Sequence, residues 1–173
     1  MLSHQRGYRK EDPTLLYHGS NSDITNPQLI KQTRGLDFGE GFYCTTSGEQ
    51  AVRFSKIVMN RRKSGAATVS VYEYDMDTAE KTLTIRKFAN ADADWLDFVK
   101  DNRLKQYTGA IYDIVIGAVA NDDVLPTILL YIDGTLDVNL TLGALKTRKL
   151  VDQICLKTEK ALALLKFMRV EAA

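Results

Sequence analysis

Apolar and polar positions along the chain alternate in short segments, with one long polar stretch near the start. Leu15-Leu16-Tyr17 is a brief apolar run that ends in His18-Gly19-Ser20-Asn21, and these turn residues predict a strand stopping at Gly19. A polar stretch runs on to Arg34. Gly35, Gly39 and Gly41 then crowd one short segment, a density that places backbone close against something. Ser47 and Gln50 form a capping box, and Ala51, Phe54 and Val58 follow at helical spacing. The pattern predicts a helix to about Asn60, closed by Arg61-Arg62-Lys63 at its negative end.

Further on, Thr68–Tyr74 alternates Val69 and Val71 on one side and reads as a strand, with a weaker strand at 83–88. Asp92 precedes a helix that sets Trp95, Phe98 and Val99 on one face. Residues 111–120 are almost continuously apolar and read as a buried strand. Helices are expected over 122–132 and 135–147, divided by Asp133-Gly134. Asp152–Leu156 is a short strand, and Thr158 caps an expected final helix carrying Leu162, Leu165 and Phe167. The class is α+β. Strict βαβ alternation, a GxGxxG turn and a P-loop are all missing, which argues against Rossmann and P-loop enzymes.

Composition narrows the picture further. The 173 residues carry 23 Lys+Arg against 22 Asp+Glu, a formal net charge of +1, and suit one domain over 1–173. Near-neutrality argues against bulk attraction to nucleic acid but leaves a local basic patch open. Cys44 and Cys155 form no CxxC pair, and His4 and His18 are the only histidines, so the expectation is no metal site and two reduced, partly buried thiols. No apolar run approaches the ~18 residues of a membrane span, and the polar N-terminus lacks a signal-like core. A cytoplasmic protein without a membrane partner is expected.

General catalytic patterns are sparse. No GxSxG elbow accompanies either histidine, and Cys44 beside Tyr43 reads as a buried strand thiol rather than a partner of His18. The acidic pairs Asp92/Asp94 and Asp122-Asp123 sit where helices should begin, where acids are ordinarily stabilising.

Two segments are more specific: Tyr17-His18-Gly19-Ser20 at a strand end, and Asp37-Phe38-Gly39-Glu40-Gly41-Phe42-Tyr43-Cys44-Thr45-Thr46 before a helix. Together they resemble the ADP-ribosyltransferase-like superfamily in its diphtheria-toxin and poly(ADP-ribose) polymerase branch. Asp113-Ile114-Val115-Ile116-Gly117, Trp95-Leu96-Asp97-Phe98-Val99 and a late Gln153-Ile154 strand are similar to an uncharacterised bacterial family of that superfamily. The resemblance extends from Leu16 to about Phe167. It implies two small mixed or antiparallel sheets that form an NAD-binding cleft flanked by helices.

The resemblance also implies roles. NAD+ would be the substrate, with His18, Tyr43 and Gln153 as the catalytic trio. His18 would bond a ribose hydroxyl, Gly19 and Ser20 would bring backbone to the carboxamide, and Tyr43 would stack on nicotinamide between Gly41, Phe42 and Thr45. Arg34 either pairs with the diphosphate or is a solvated surface arginine. Asp37 either orients the loop or is an ordinary turn aspartate. Gln153 stands where the superfamily usually has glutamate; it can bond a hydroxyl but is neutral and cannot act as a base. Glu159 lies nearby but is expected to begin the last helix.

Single transfer to a protein acceptor therefore fits better than chain elongation, and a toxin or effector with a small antitoxin partner follows by analogy. The alternative is a weak or inactive NAD- or ADP-ribose-binding module acting through a partner protein. RNA 2′-phosphotransferase chemistry would need several phosphate-binding arginines, and Arg61-Arg62-Lys63 is the only dense cluster.

Overall fold

The computed structural model describes residues 14–31, 33–120, 124–148 and 150–173. His4 and the acidic pair Asp122-Asp123 lie outside the described residues. The elements are β1 (Thr14–Ser20), β2 (Phe42–Cys44), α1 (Gly48–Arg62), β3 (Thr68–Tyr74), α2 (Met76–Thr82), β4 (Ile85–Lys87) and α3 (Ala93–Arg103), followed by β5 (Ile114–Ala118), α4 (Leu125–Ile132), α5 (Val138–Leu145), β6 (Asp152–Leu156), α6 (Glu159–Leu162) and β7 (Leu165–Ala172).

The strands form two sheets. One is antiparallel in the order β1-β3-β7; the other is mixed, in the order β2-β6-β5-β4, with only β4 and β5 parallel. Side-chain alternation explains the layering, because each strand sends successive residues to opposite faces. On β3, Val69 and Val71 meet Ala51 of α1, whereas Tyr72 and Tyr74 point between the sheets toward Leu16, Phe42, Ile154 and Leu156. On β5 and β6, Val115 and Cys155 face a second core with Trp95, Leu96, Val99 and Ile128, beneath α3 and α4. The result is helix, sheet, sheet, helices.

The α+β expectation and the two small sheets hold. Ser47 caps α1 as read, accepting from the Gln50 amide at 3.2 Å, and Thr158 caps α6. The final helix is corrected. It stops after one turn at Leu162, and Leu165 and Phe167 lie in β7, opposite Tyr74 and Tyr72 of β3. The spacing of those three apolar residues suits either period; a free edge on β3 decides for strand, since pairing there supplies backbone hydrogen bonds along the segment. The helix α2, which the hydrophobic pattern does not predict, is started by Asp75 accepting from the Thr78 amide at 2.9 Å. Among the described residues no helix is long and apolar enough to cross a membrane.

Candidate functional site

The two sheets meet at a seam where β1 and β2 end side by side. Tyr17 and Thr45 exchange both backbone hydrogen bonds there, at 2.9 and 3.0 Å. This bridge fixes His18 against β2. Its Nδ1 lies 2.7 Å from the Tyr43 carbonyl oxygen, and its ring stacks on Phe42 at 4.4 Å between centroids. A carbonyl can only accept, so Nδ1 carries the proton and the neutral ring presents Nε2 as an acceptor. Burial, and then the charge of Arg62, lower the His18 pKa against the opposing pull of that carbonyl bond. The ring is therefore neutral near pH 7.

Tyr43 sits opposite Cys155 on β2, and Gln153 lies two residues along β6 on the same side. The Tyr43 hydroxyl donates to the Gly39 carbonyl at 2.6 Å and accepts from the Phe38 amide at 3.1 Å. Burial raises its pKa well above the ordinary phenol value. Tyr43 thus ties down the loop before it, leaving the ring face as the part it can offer a ligand.

That loop is pinned at three further points. Phe38 is fully buried against Phe88 and Phe98. The Lys157 ammonium donates to the Phe38 and Glu40 carbonyls. Asp37, only 6% exposed, accepts from four donors: Arg103 Nε and a second Arg103 nitrogen on Oδ1 at 2.7 and 2.5 Å, and the Ala120 amide and Gln153 Nε2 on Oδ2, each at 3.0 Å. Asp37 is the buried centre that joins the loop, α3, β5 and β6, not an ordinary turn residue. It also accounts for the neutral residue at 153: a carboxylate there would face a carboxylate, whereas an amide supplies a donor. Nε2 is held by Asp37, and the Gln153 side chain as a whole is buried, 7% exposed.

The glycine run is explained by the protein itself. A Cβ at Gly35 would meet the Arg103 carbonyl oxygen at 1.9 Å, and one at Gly41 would meet Cys155 Sγ at 2.4 Å. Gly39 needs its positive φ of 77°. Gly19 likewise faces α1, with Ala51 O only 2.1 Å from a built Cβ. The "something" close to these backbones is α3, β6 and α1.

Other expected site residues sort differently. Phe42 is buried between the sheets, edge-on to Tyr72, and belongs to the core. Thr45 is buried, donating to Asp152 Oδ1 at 3.2 Å and accepting from the Ser47 amide. Ser20 is buried at the end of β1, opposite Thr68. Cys44 and Cys155 are free and buried; burial raises both thiol pKa values, that of Cys155 to about 12. Neither acts as a thiolate at neutral pH.

The structure unites His18, Phe42 and Tyr43 directly, and reaches Gln153 through Asp37. Arg34 stands apart. It is exposed on the wall of a cavity of about 250 Å³ with Gly35, Gly39 and Lys105, and His18, Tyr43 and Gln153 do not line that cavity. Arg103, Lys157 and Asp152 carried no recognisable sequence signal, since each is an ordinary charged residue until folding brings it to the loop.

With this geometry in view, the comparisons with known proteins add one match. The profile of the family described as "Protein of unknown function (DUF3990)" matches residues 14–167. The chain belongs to the DUF3990 family. The match spans β1 through the start of β7, so the seam, the loop and the Asp37 centre all fall inside the DUF3990 region. No curated protein and no solved structure matches the chain.

Proposed function

We propose that this DUF3990 protein is an NAD+-dependent mono-ADP-ribosyltransferase acting on a protein acceptor. The observation that supports the reading best is the seam itself. A neutral histidine that donates from Nδ1, a half-buried tyrosine ring and a glutamine held through its amide nitrogen occur on adjoining strand ends, in the order the resemblance anticipates.

In this reading His18 Nε2 accepts from a ribose hydroxyl of the adenosine half, and the Tyr43 ring walls the nicotinamide. Gln153 Oε1 accepts from the hydroxyl beside the reacting carbon. The bond between that carbon and the nicotinamide nitrogen breaks, and its electron pair leaves with nicotinamide. An acceptor nucleophile then bonds the ribose carbon and gives up its proton. Gln153 stabilises the cationic transition state by dipole rather than charge, so turnover is slow and a single transfer is the outcome. A toxin or effector role with a small antitoxin partner is consistent with such an activity.

The experiment is incubation of the purified chain with labelled NAD+ and cell lysate, reading nicotinamide release and label on protein. Release that falls ~10²-fold in Gln153→Ala supports the enzyme. Measurable NAD+ binding without release or transfer would instead support the second reading, a nucleotide-binding module. That reading is favoured by one observation: Gln153 is neutral, and its amide nitrogen is already held by Asp37.

A further inference from the structure

A cavity of about 330 Å³ beyond the end of α3 lies apart from the seam. It is lined by Phe98, Asn102, Tyr107, Ile111, Tyr112 and Lys157, with His18, Tyr43 and Gln153 all outside it. Its walls are aromatic. Tyr107 packs edge-on to Phe98 at 4.8 Å, and its hydroxyl donates to the Ala110 carbonyl at 3.0 Å, so both ring and loop are held. Ile111 is 86% exposed, an apolar side chain that the fold leaves uncovered beside this wall.

Two polar groups interrupt the apolar lining. Asn102 is only 8% exposed; its Nδ2 donates to the Phe98 carbonyl at 2.9 Å, whereas its Oδ1 accepts from no group among the described residues. A buried side-chain oxygen without a donor is uncommon in a folded chain. Lys157 donates to the Phe38 and Glu40 carbonyls, which engages two of its three ammonium hydrogens. It forms no ion pair among the described residues. Asn102 Oδ1 and Lys157 Nζ lie 2.6 and 3.0 Å from the point that a Cβ on Gly39 would take, so the two groups are neighbours. The positive φ of 77° keeps glycine at that position, and the point between them stays open.

An acceptor beside a cation suits a head group that offers one donor and one anionic oxygen, and the walls suit a flat ring. An amide N–H meets the first need without charge; a free α-ammonium would set a second cation beside Lys157. We propose that this cavity binds an N-acylated aromatic amino acid, its ring against Tyr107 and Tyr112, its carboxylate at Lys157 and its N–H on Asn102 Oδ1. A free N-acyl amino acid and the C-terminal aromatic residue of a protein present the same chemistry. The site does not rest on the NAD+ reading.

The test is calorimetric titration of the full chain with N-acetylphenylalanine, which binds one to one. Its primary amide, which lacks the carboxylate, and its N-methyl analogue, which lacks the N–H, each bind more weakly by on the order of tenfold. Ile111→Asp, at an exposed position that leaves the thermal midpoint unchanged, weakens the acid but not the amide. Absence of binding, or equal affinity for acid, amide and N-methyl analogue, overturns the proposal. Displacement of the acid by NAD+ overturns it too, because the cavity would then be part of a dinucleotide site. A peptide ending in phenylalanine that binds more tightly than N-acetylphenylalanine supports the site and assigns it to a protein C-terminus; equal affinity supports it and assigns it to the free acid. NAD+ turnover that is absent while the acid binds removes the NAD+ reading and leaves this site standing.

Discussion

The seam between the sheets and the basic rim at the helix ends differ in what their polar groups are already doing. At the seam, the Tyr43 hydroxyl, Thr45, Asp37 and the Gln153 amide nitrogen are bonded to other parts of the chain, and His18 donates from Nδ1, which leaves Nε2 as an acceptor. At the rim, Arg34 and Lys105 line an exposed cavity with Glu40, and a cavity walled by Phe98, Tyr107 and Tyr112 adjoins it. The seam holds the fold in register and orients a few acceptors. The rim is built to attract.

The sharpest break of this comparison is at Asp37. Asp37→Ala strands Arg103, the Ala120 amide and Gln153 without their acceptor, and a loss of about 3–5 kcal/mol is expected in urea unfolding. A loss within experimental error would remove Asp37 from the centre of the account. Next come the glycines: Gly19→Ala and Gly35→Ala push a methyl into backbone of α1 and α3 and should each cost roughly 1–3 kcal/mol. If stability were untouched while ligand binding failed, those glycines would serve ligand approach instead.

A smaller effect is expected from pH. Burial lowers the folded-state pKa of His18 below the ordinary 6.5, so the unfolded chain binds the proton more readily. The stability His18 contributes is therefore fully present above pH 6.5 and is lost as pH falls through the folded pKa. His18→Gln should flatten that acid-side slope, seen as thermal midpoints that converge with wild type on acidification. The smallest change in stability belongs to the rim, where Arg34→Ala stays within ~0.5 kcal/mol of wild type because an exposed charge contributes little. A large destabilisation there would make the arginine structural.

The sequence showed most of this fold where local signals agree with tertiary demand. Thr68–Tyr74 and Asp152–Leu156 were legible to the residue because β-rich composition and alternation coincide with burial on both faces. The stretch after Leu162 was misread because its spacing suits two periods, and only the open edge of β3 chooses between them. His18, Tyr43 and Gln153 could be singled out by motif, but their engagement could not. The four donors on Asp37 come from segments as far apart as Arg103, Ala120 and Gln153, and nothing local marks such a meeting. The glycine run was rightly read as close packing, yet its neighbours are α3 and β6. Arg34 stands out in the sequence, but its sharing a cavity wall with Lys105 does not.

The most direct test of the proposed function, that this chain uses NAD+ at the seam, is an amide chemical-shift map of the isotope-labelled protein titrated with NAD+. The account predicts saturable shifts at His18, Gly19, Tyr43 and Gln153 together with the loop that Tyr43 and Asp37 hold. No saturable shifts, or shifts confined to surfaces away from both regions, would contradict it.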